Sequence, residues 1–142
     1  MSRTVVLVDA VRTPFGKAGG MYAGTRADDL MVRAIRGLLE RNPTVDPASI
    51  EDVAIAAATQ TGDQGMNIGR SAALLSGLPN TVPGYSIDRW CAGALTAVTT
   101  IAGAIAMPGF PGGRRAIAAR RPRLCRGWPG PCHRRAGRRN AS

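Results

Sequence analysis

Apolar positions along the chain fall into short continuous runs and helical stripes. Residues 4–10, "TVVLVDA", form a β-branched apolar run, which predicts a buried strand. Residues 11–25, "VRTPFGKAGGMYAGT", are rich in glycine and read as a loop. Asp28 and Asp29 then open a helix. Leu30, Met31, Ala34, Leu38 and Leu39 form its apolar stripe, the acids favour its start, Arg41 favours its end, and Asn42-Pro43 stops it. Residues 47–59, "PASIEDVAIAAAT", predict a helical turn feeding a buried strand with Val53 and Ile55 inside. After a turn at "QTGDQG", residues 66–78 predict a second helix closed by Gly77 and Pro79. Residues 83–90 predict a third short strand, and a helix runs from Cys91 to Met107. In that helix Leu95, Val98, Ile101 and Ile105 share one face, and the rest is small, as in a central helix lying between layers. The alternation of strand and helix predicts an α/β layer with a largely parallel sheet.

Composition divides the chain in two. Residues 1–107 hold nine Arg or Lys and nine acids, which cancel; residues 108–142 hold ten Arg, no Lys and no acid, so the formal net charge of +10 belongs to the second part. We therefore take 1–107 as one domain and 108–142 as an Arg/Pro/Gly/Ala-rich tail. The tail's composition predicts an irregular, disordered segment. It also matches the text that a shifted reading frame of a G/C-rich gene would produce. If expressed and exposed, ten arginines suit a nucleic-acid or acidic partner, which defines a non-catalytic alternative function. A zinc site from Cys125, Cys132 and His133 lacks the usual ligand spacing. The uncharged stretch from Trp90 to Gly113 is too poor in large apolar residues, and too soon interrupted by Pro108, for a membrane span. One cysteine before the tail and no visible secretory signal fit a reducing, cytoplasmic setting.

Cys91 carries the candidate chemistry. It stands where a strand gives way to a helix, beside the N–H groups that the first helical turn leaves unpaired. Such a place stabilises a thiolate, and the same N–H groups can hold the oxyanion formed when that thiolate attacks a carbonyl. The bland alternative is a small buried apolar residue, the usual role of a lone cysteine.

The segment 87–98, "IDRWCAGALTAV", resembles the nucleophile segment of the thiolases, Asn-Arg-x-Cys-x-Ser-Gly-Leu-x-Ala. Arg89, Cys91, Leu95 and Ala97 match, whereas Asp88, Gly93 and Ala94 replace Asn, Ser and Gly. Two further segments agree. Arg12, Thr13, Pro14 and Gly16 fit the family's opening Arg-Thr-Pro-x-Gly, and Gly62, Asn67 and Arg70 fit a Gly-x-x-x-Gln-Asn-x-Ala-Arg segment in which Met66 replaces Gln. The condensing enzymes of fatty-acid synthesis share a nucleophilic cysteine, but the opening segment favours thiolase.

The resemblance implies a layered α/β/α/β/α fold of two similar halves, of which this chain holds part of the first. It implies a homodimer or homotetramer, with the strand at about 84–88 at the dimer contact and Asp88 and Arg89 as an ion pair there. It implies Cys91 as the catalytic residue that takes an acyl group from a 3-ketoacyl-CoA or acetyl-CoA and passes it to coenzyme A. No metal or other cofactor is implied, coenzyme A thioester being the substrate. The histidines and the Cys-x-Gly segment of the family's second half have no counterpart here, since the one histidine, His133, lies in the tail. The isolated chain is therefore expected to be inactive in the full cycle. Asn67 and Arg70 are expected to organise the loop and helix beside the nucleophile by hydrogen bonding.

Overall fold

The structure is a computed structural model, and it describes residues 3–107 and 115–120, with Arg120 known by its backbone alone. Three parallel strands form a sheet in the order β2-β1-β3: β1 is Asp52–Ala56, β2 is Tyr85–Ile87 and β3 is Ala116–Arg120. Helices α1 (Ala27–Arg41) and α2 (Ile68–Leu75) cover one face, and α3 (Gly93–Ala106) covers the other. The result is a three-layer α/β/α unit, as the strand–helix alternation predicts.

Side-chain alternation along the strands decides what each face packs. Val53, Ile55 and Ile117 point to α1 and α2, where they meet Met31, Val32, Ile35, Ile68 and Ala72. This is the larger core, and Val53 and Ile55 are buried as expected. Ala54, Ala116 and Ala118 point the other way, to Ala97 and Ile101 of α3. That second face is built from small residues, so α3 lies close to the sheet. At Gly93 an added Cβ would stand 3.0 Å from the Cβ of Ala56, a tight contact that asks the sheet to give by a few tenths of an ångström.

This close approach sets the orientation of α3. Its buried residues are Gly93, Ala97 and Ile101, whereas Leu95 and Val98 are 68% and 48% exposed. The small stripe packs better against an alanine-rich sheet face than the large one would. In α1 the buried positions are Ala27, Leu30, Met31, Val32 and Ile35, with Leu38 and Leu39 half-buried at the edge of the core. The start of α1 is capped from a distance: Asp63, in the short 3₁₀ turn Gly62–Gln64, accepts the Ala27 N–H at 2.6 Å. Gly77 closes α2 in the left-handed conformation, with the Leu78 N–H donating to the Ala73 carbonyl.

Two expectations about strands are corrected. Residues 4–10 form no strand; Val6, Leu7 and Val8 are exposed. Both edges of β1 are already taken by β2 and β3, so the run has no place beside the most buried strand. It is pinned at its ends instead. Arg3 N–H donates to the Ala106 carbonyl, while Asp9 accepts from the Asn42 amide at 2.8 Å and pairs with Arg41 at 3.0 Å. Between these anchors a cavity of about 270 Å³ separates the run from Leu38, Leu39, Ile50 and Ile117.

The second correction falls in the tail. Residues 116–120, expected to be irregular, form β3 in register from Asp52↔Ala116 to Ala56↔Arg120. "AIAA" alternates one large with several small apolar residues, which suits the two unequal faces of this sheet. The reading of 108–142 as shifted-frame text gains no support from the structure, and the rest of that segment lies outside the described residues.

Candidate active site

The candidate site lies where β2 ends. The chain leaves the sheet at Ile87, turns through Asp88 and Arg89, forms one 3₁₀ turn at Trp90–Ala92 and enters α3 at Gly93. Cys91 is exposed in that turn, not buried among apolar residues. The Ala92 N–H donates to the Arg89 carbonyl at 3.0 Å, and the Gly93 N–H to the Trp90 carbonyl. Gly93 stands where the family pattern has Ser, in close contact with Ala56.

Asp88 and Arg89 do not pair with each other. Asp88 Oδ1 accepts the Trp90 N–H at 3.2 Å. Arg89 Nη1 donates to Thr96 Oγ1 at 3.1 Å, and Thr96 Oγ1 donates to the Ala92 carbonyl at 3.0 Å. Within the chain the two residues instead form two clamps on the turn that carries Cys91. An acid opening a turn satisfies the N–H two residues on more cheaply than it holds a neighbouring side chain. Thr96 escaped sequence reasoning because nothing in its spacing marks it, and the Asp88 contact with the Trp90 N–H was not read from the sequence either.

Asn67 and Arg70 support the approach to β2, as expected. Asn67, with φ +56°, caps α2 by accepting the Arg70 N–H at 3.4 Å, and its amide donates to the Gly84 carbonyl at 3.0 Å. It also accepts from Ser86 Oγ at 3.2 Å. The Arg70 guanidinium donates to the carbonyls of Val82 and Asn80. Here α2 and β2 meet backbone to backbone. A Cβ on Gly69 would collide with the Tyr85 carbonyl, and one on Gly84 would lie 2.6 Å from the Gly69 oxygen. Of the opening segment, Arg12 stacks over the Phe15 ring at 5.6 Å, and Gly16 leaves room for the ring of Tyr22.

The family model "Thiolase, N-terminal domain" matches residues 5–109. The chain belongs to the thiolase family. Among curated thiolases it is 47% identical over 106 residues to the beta-ketoadipyl-CoA thiolase of Pseudomonas knackmussii, covering 75% of this chain and 26% of that protein. It is 46% identical over 101 residues to the 3-ketoacyl-CoA thiolase of Pseudoalteromonas translucida, covering 70% and 26%. Among solved structures, the Bacillus anthracis acetyl-CoA acetyltransferase superposes with a TM-score of 0.63 at 32% identity, covering 68% of this chain and 24% of that one. The chain thus spans about a quarter of the length of the thiolases it matches.

Burial perturbs two groups on the sheet beside this thiolase segment. It raises the carboxyl of Asp52 from its ordinary value. Burial, with the nearby Asp52 charge, also raises the phenol of Tyr85. At the other end of the domain, the Arg26 guanidinium, bonded to Asp28 at 2.7 Å, lowers that carboxyl. Among the described residues no three His, Cys, Asp or Glu gather to hold a metal ion, and no helix is long and apolar enough to cross a membrane. The zinc candidates Cys125, Cys132 and His133, and most of the arginines of the nucleic-acid alternative, lie outside the described residues.

Proposed function

We propose that this thiolase segment performs the acyl-accepting half of acyl-CoA C-acyltransfer, with Cys91 as nucleophile. The observation that carries the reading is the exposed thiol of Cys91 in the turn between β2 and α3, inside a matched thiolase domain. The first turn of a helix offers unpaired N–H groups and the positive end of its dipole. These favour a thiolate and the oxyanion it generates. Cys91 Sγ attacks the thioester carbonyl of acetyl-CoA, or the 3-keto carbonyl of a 3-ketoacyl-CoA. A new C–S bond forms in either case: from acetyl-CoA the carbonyl-to-sulfur bond breaks and the coenzyme A thiolate departs, and from a 3-ketoacyl-CoA the C2–C3 bond breaks and acetyl-CoA departs as its enolate. The acyl group then returns to coenzyme A.

A positioned acid or base contributes about 10²–10⁴-fold in rate. This chain supplies no histidine outside residue 133, so it loads the acyl group and does not turn over. A dimer or tetramer, a cytoplasmic site of action and the second-half residues belong to the same proposal. The test is release of free coenzyme A from acetyl-CoA by the purified chain. A single stoichiometric burst, absent in Cys91→Ser, supports the reading. Sustained turnover at an enzyme-like rate, or a burst that survives Cys91→Ser, would sink it.

A further inference from the structure

Trp90, immediately before Cys91, has φ +44°. In this left-handed region the Cβ of an ordinary residue crowds the following carbonyl oxygen, and bulky residues avoid it. Packing does not hold Trp90 there, because its side chain is 72% exposed. Glycine, which adopts this conformation freely, is not used. Something in the backbone's surroundings must therefore offset the strain.

The offset comes from both sides of the residue. The Trp90 N–H donates to Asp88 Oδ1 at 3.2 Å, and the Trp90 carbonyl accepts from Gly93. The carbonyl bond is part of the helical turn and needs no side chain. The bond at the N–H depends wholly on residue 88. Arg89, tied to Thr96 at 3.1 Å, restrains the same turn from the helix side.

We infer that Asp88 is a positioning residue for the thiol: it clamps Trp90 in the left-handed conformation and so sets the direction in which Cys91 leaves the sheet. An amide oxygen at position 88 would accept the same hydrogen bond, so the clamp requires the acceptor and not the charge. This rests on the reading of Cys91 as nucleophile, and extends it to the residue where this chain departs from the family's Asn.

The test uses the full chain with Asp88→Ala, Asp88→Asn, Trp90→Gly and the Asp88→Ala/Trp90→Gly double variant. The rate of Cys91 acetylation by acetyl-CoA is measured for each, with hydrogen exchange at the residue-90 N–H as a second readout. Asp88→Ala should slow acetylation about five-fold, the equivalent of one ordinary hydrogen bond, and lose protection at that N–H. Asp88→Asn should restore both. On the Trp90→Gly background, where no strain needs holding, Asp88→Ala should have little effect on the rate. An equal loss on both backgrounds, or no rescue by asparagine, would overturn the inference. If even the parent chain resists acetylation, the nucleophile reading fails. The exchange pattern then decides the clamp alone: protection lost in Asp88→Ala and kept in Asp88→Asn upholds it, and an unprotected N–H in the parent overturns it.

Discussion

Adding one methyl group at Gly69 should destabilise this domain, although alanine is the better helix former. Gly69 lies in α2, where replacing glycine by alanine gains about 1 kcal/mol from backbone entropy alone. Against this stands the contact with β2. The new Cβ would meet the Tyr85 carbonyl carbon at 2.5 Å and its nitrogen at 2.8 Å, with the oxygen closer still. These are backbone atoms of a paired strand, so no rotamer change relieves the clash. Overpacking of this kind costs about 1–3 kcal/mol, and the rigidity of both partners places it at the upper end. The net loss should be about 1–2 kcal/mol after the helix gain. Gly37→Ala is the control. It lies in α1 and its added Cβ meets nothing within 4 Å, so it should stabilise by about 0.5–1 kcal/mol. Urea unfolding of the two variants against the parent reads both. The same substitution should move the midpoint in opposite directions. A neutral or stabilising Gly69→Ala would refute the close helix–strand approach on which the position of β2, and hence of Cys91, depends.

Other outcomes follow from the same geometry. Asp52→Asn should raise the thermal midpoint at neutral pH. Burial raises the folded pKa of Asp52, so its ionised form opposes folding above that pKa. The gain should fade as pH falls through and below the ordinary value of 3.8, where the carboxyl is protonated in both states. Asn67→Ala should cost about 2 kcal/mol by urea unfolding, since it removes the α2 cap and leaves a β-carbon in left-handed backbone. Ile117→Asp should cost about 3 kcal/mol or more, because Ile117 is buried in the larger core; unchanged stability would show that β3 does not pack as described.

The sequence carried the fold where pattern and burial agree. Val53 and Ile55 alternate with alanines, and that alternation is the division between a large-residue face and a small-residue face of the sheet. The turn-to-helix position of Cys91 was equally legible, from the strand signal before it and the small residues after it. The orientation of α3 was not. Its large residues share one face, but the sequence does not say which face meets the sheet, and the alanine-rich surface takes Gly93, Ala97 and Ile101. The run at 4–10 is apolar enough for a strand, yet a strand also needs a pairing partner, which local sequence does not report. Strand β3 escaped for the opposite reason. Its five residues sit within an arginine-rich stretch, and only the pairing with β1 distinguishes them. The clamp of Asp88 on Trp90 depends on a backbone angle that no residue pattern announces.

The measurement that tests the central claim most directly is a map of acyl adducts across the cysteines of the intact chain. After exposure to acetyl-CoA at neutral pH, proteolysis and mass spectrometry assign the acetyl group among Cys91, Cys125 and Cys132. The predicted result is acetylation at Cys91, lost on unfolding the chain in urea before exposure, with the other two cysteines unmodified. Equal labelling of all three cysteines, or labelling of Cys91 that persists in the unfolded chain, would mean that the turn between β2 and α3 confers no special reactivity.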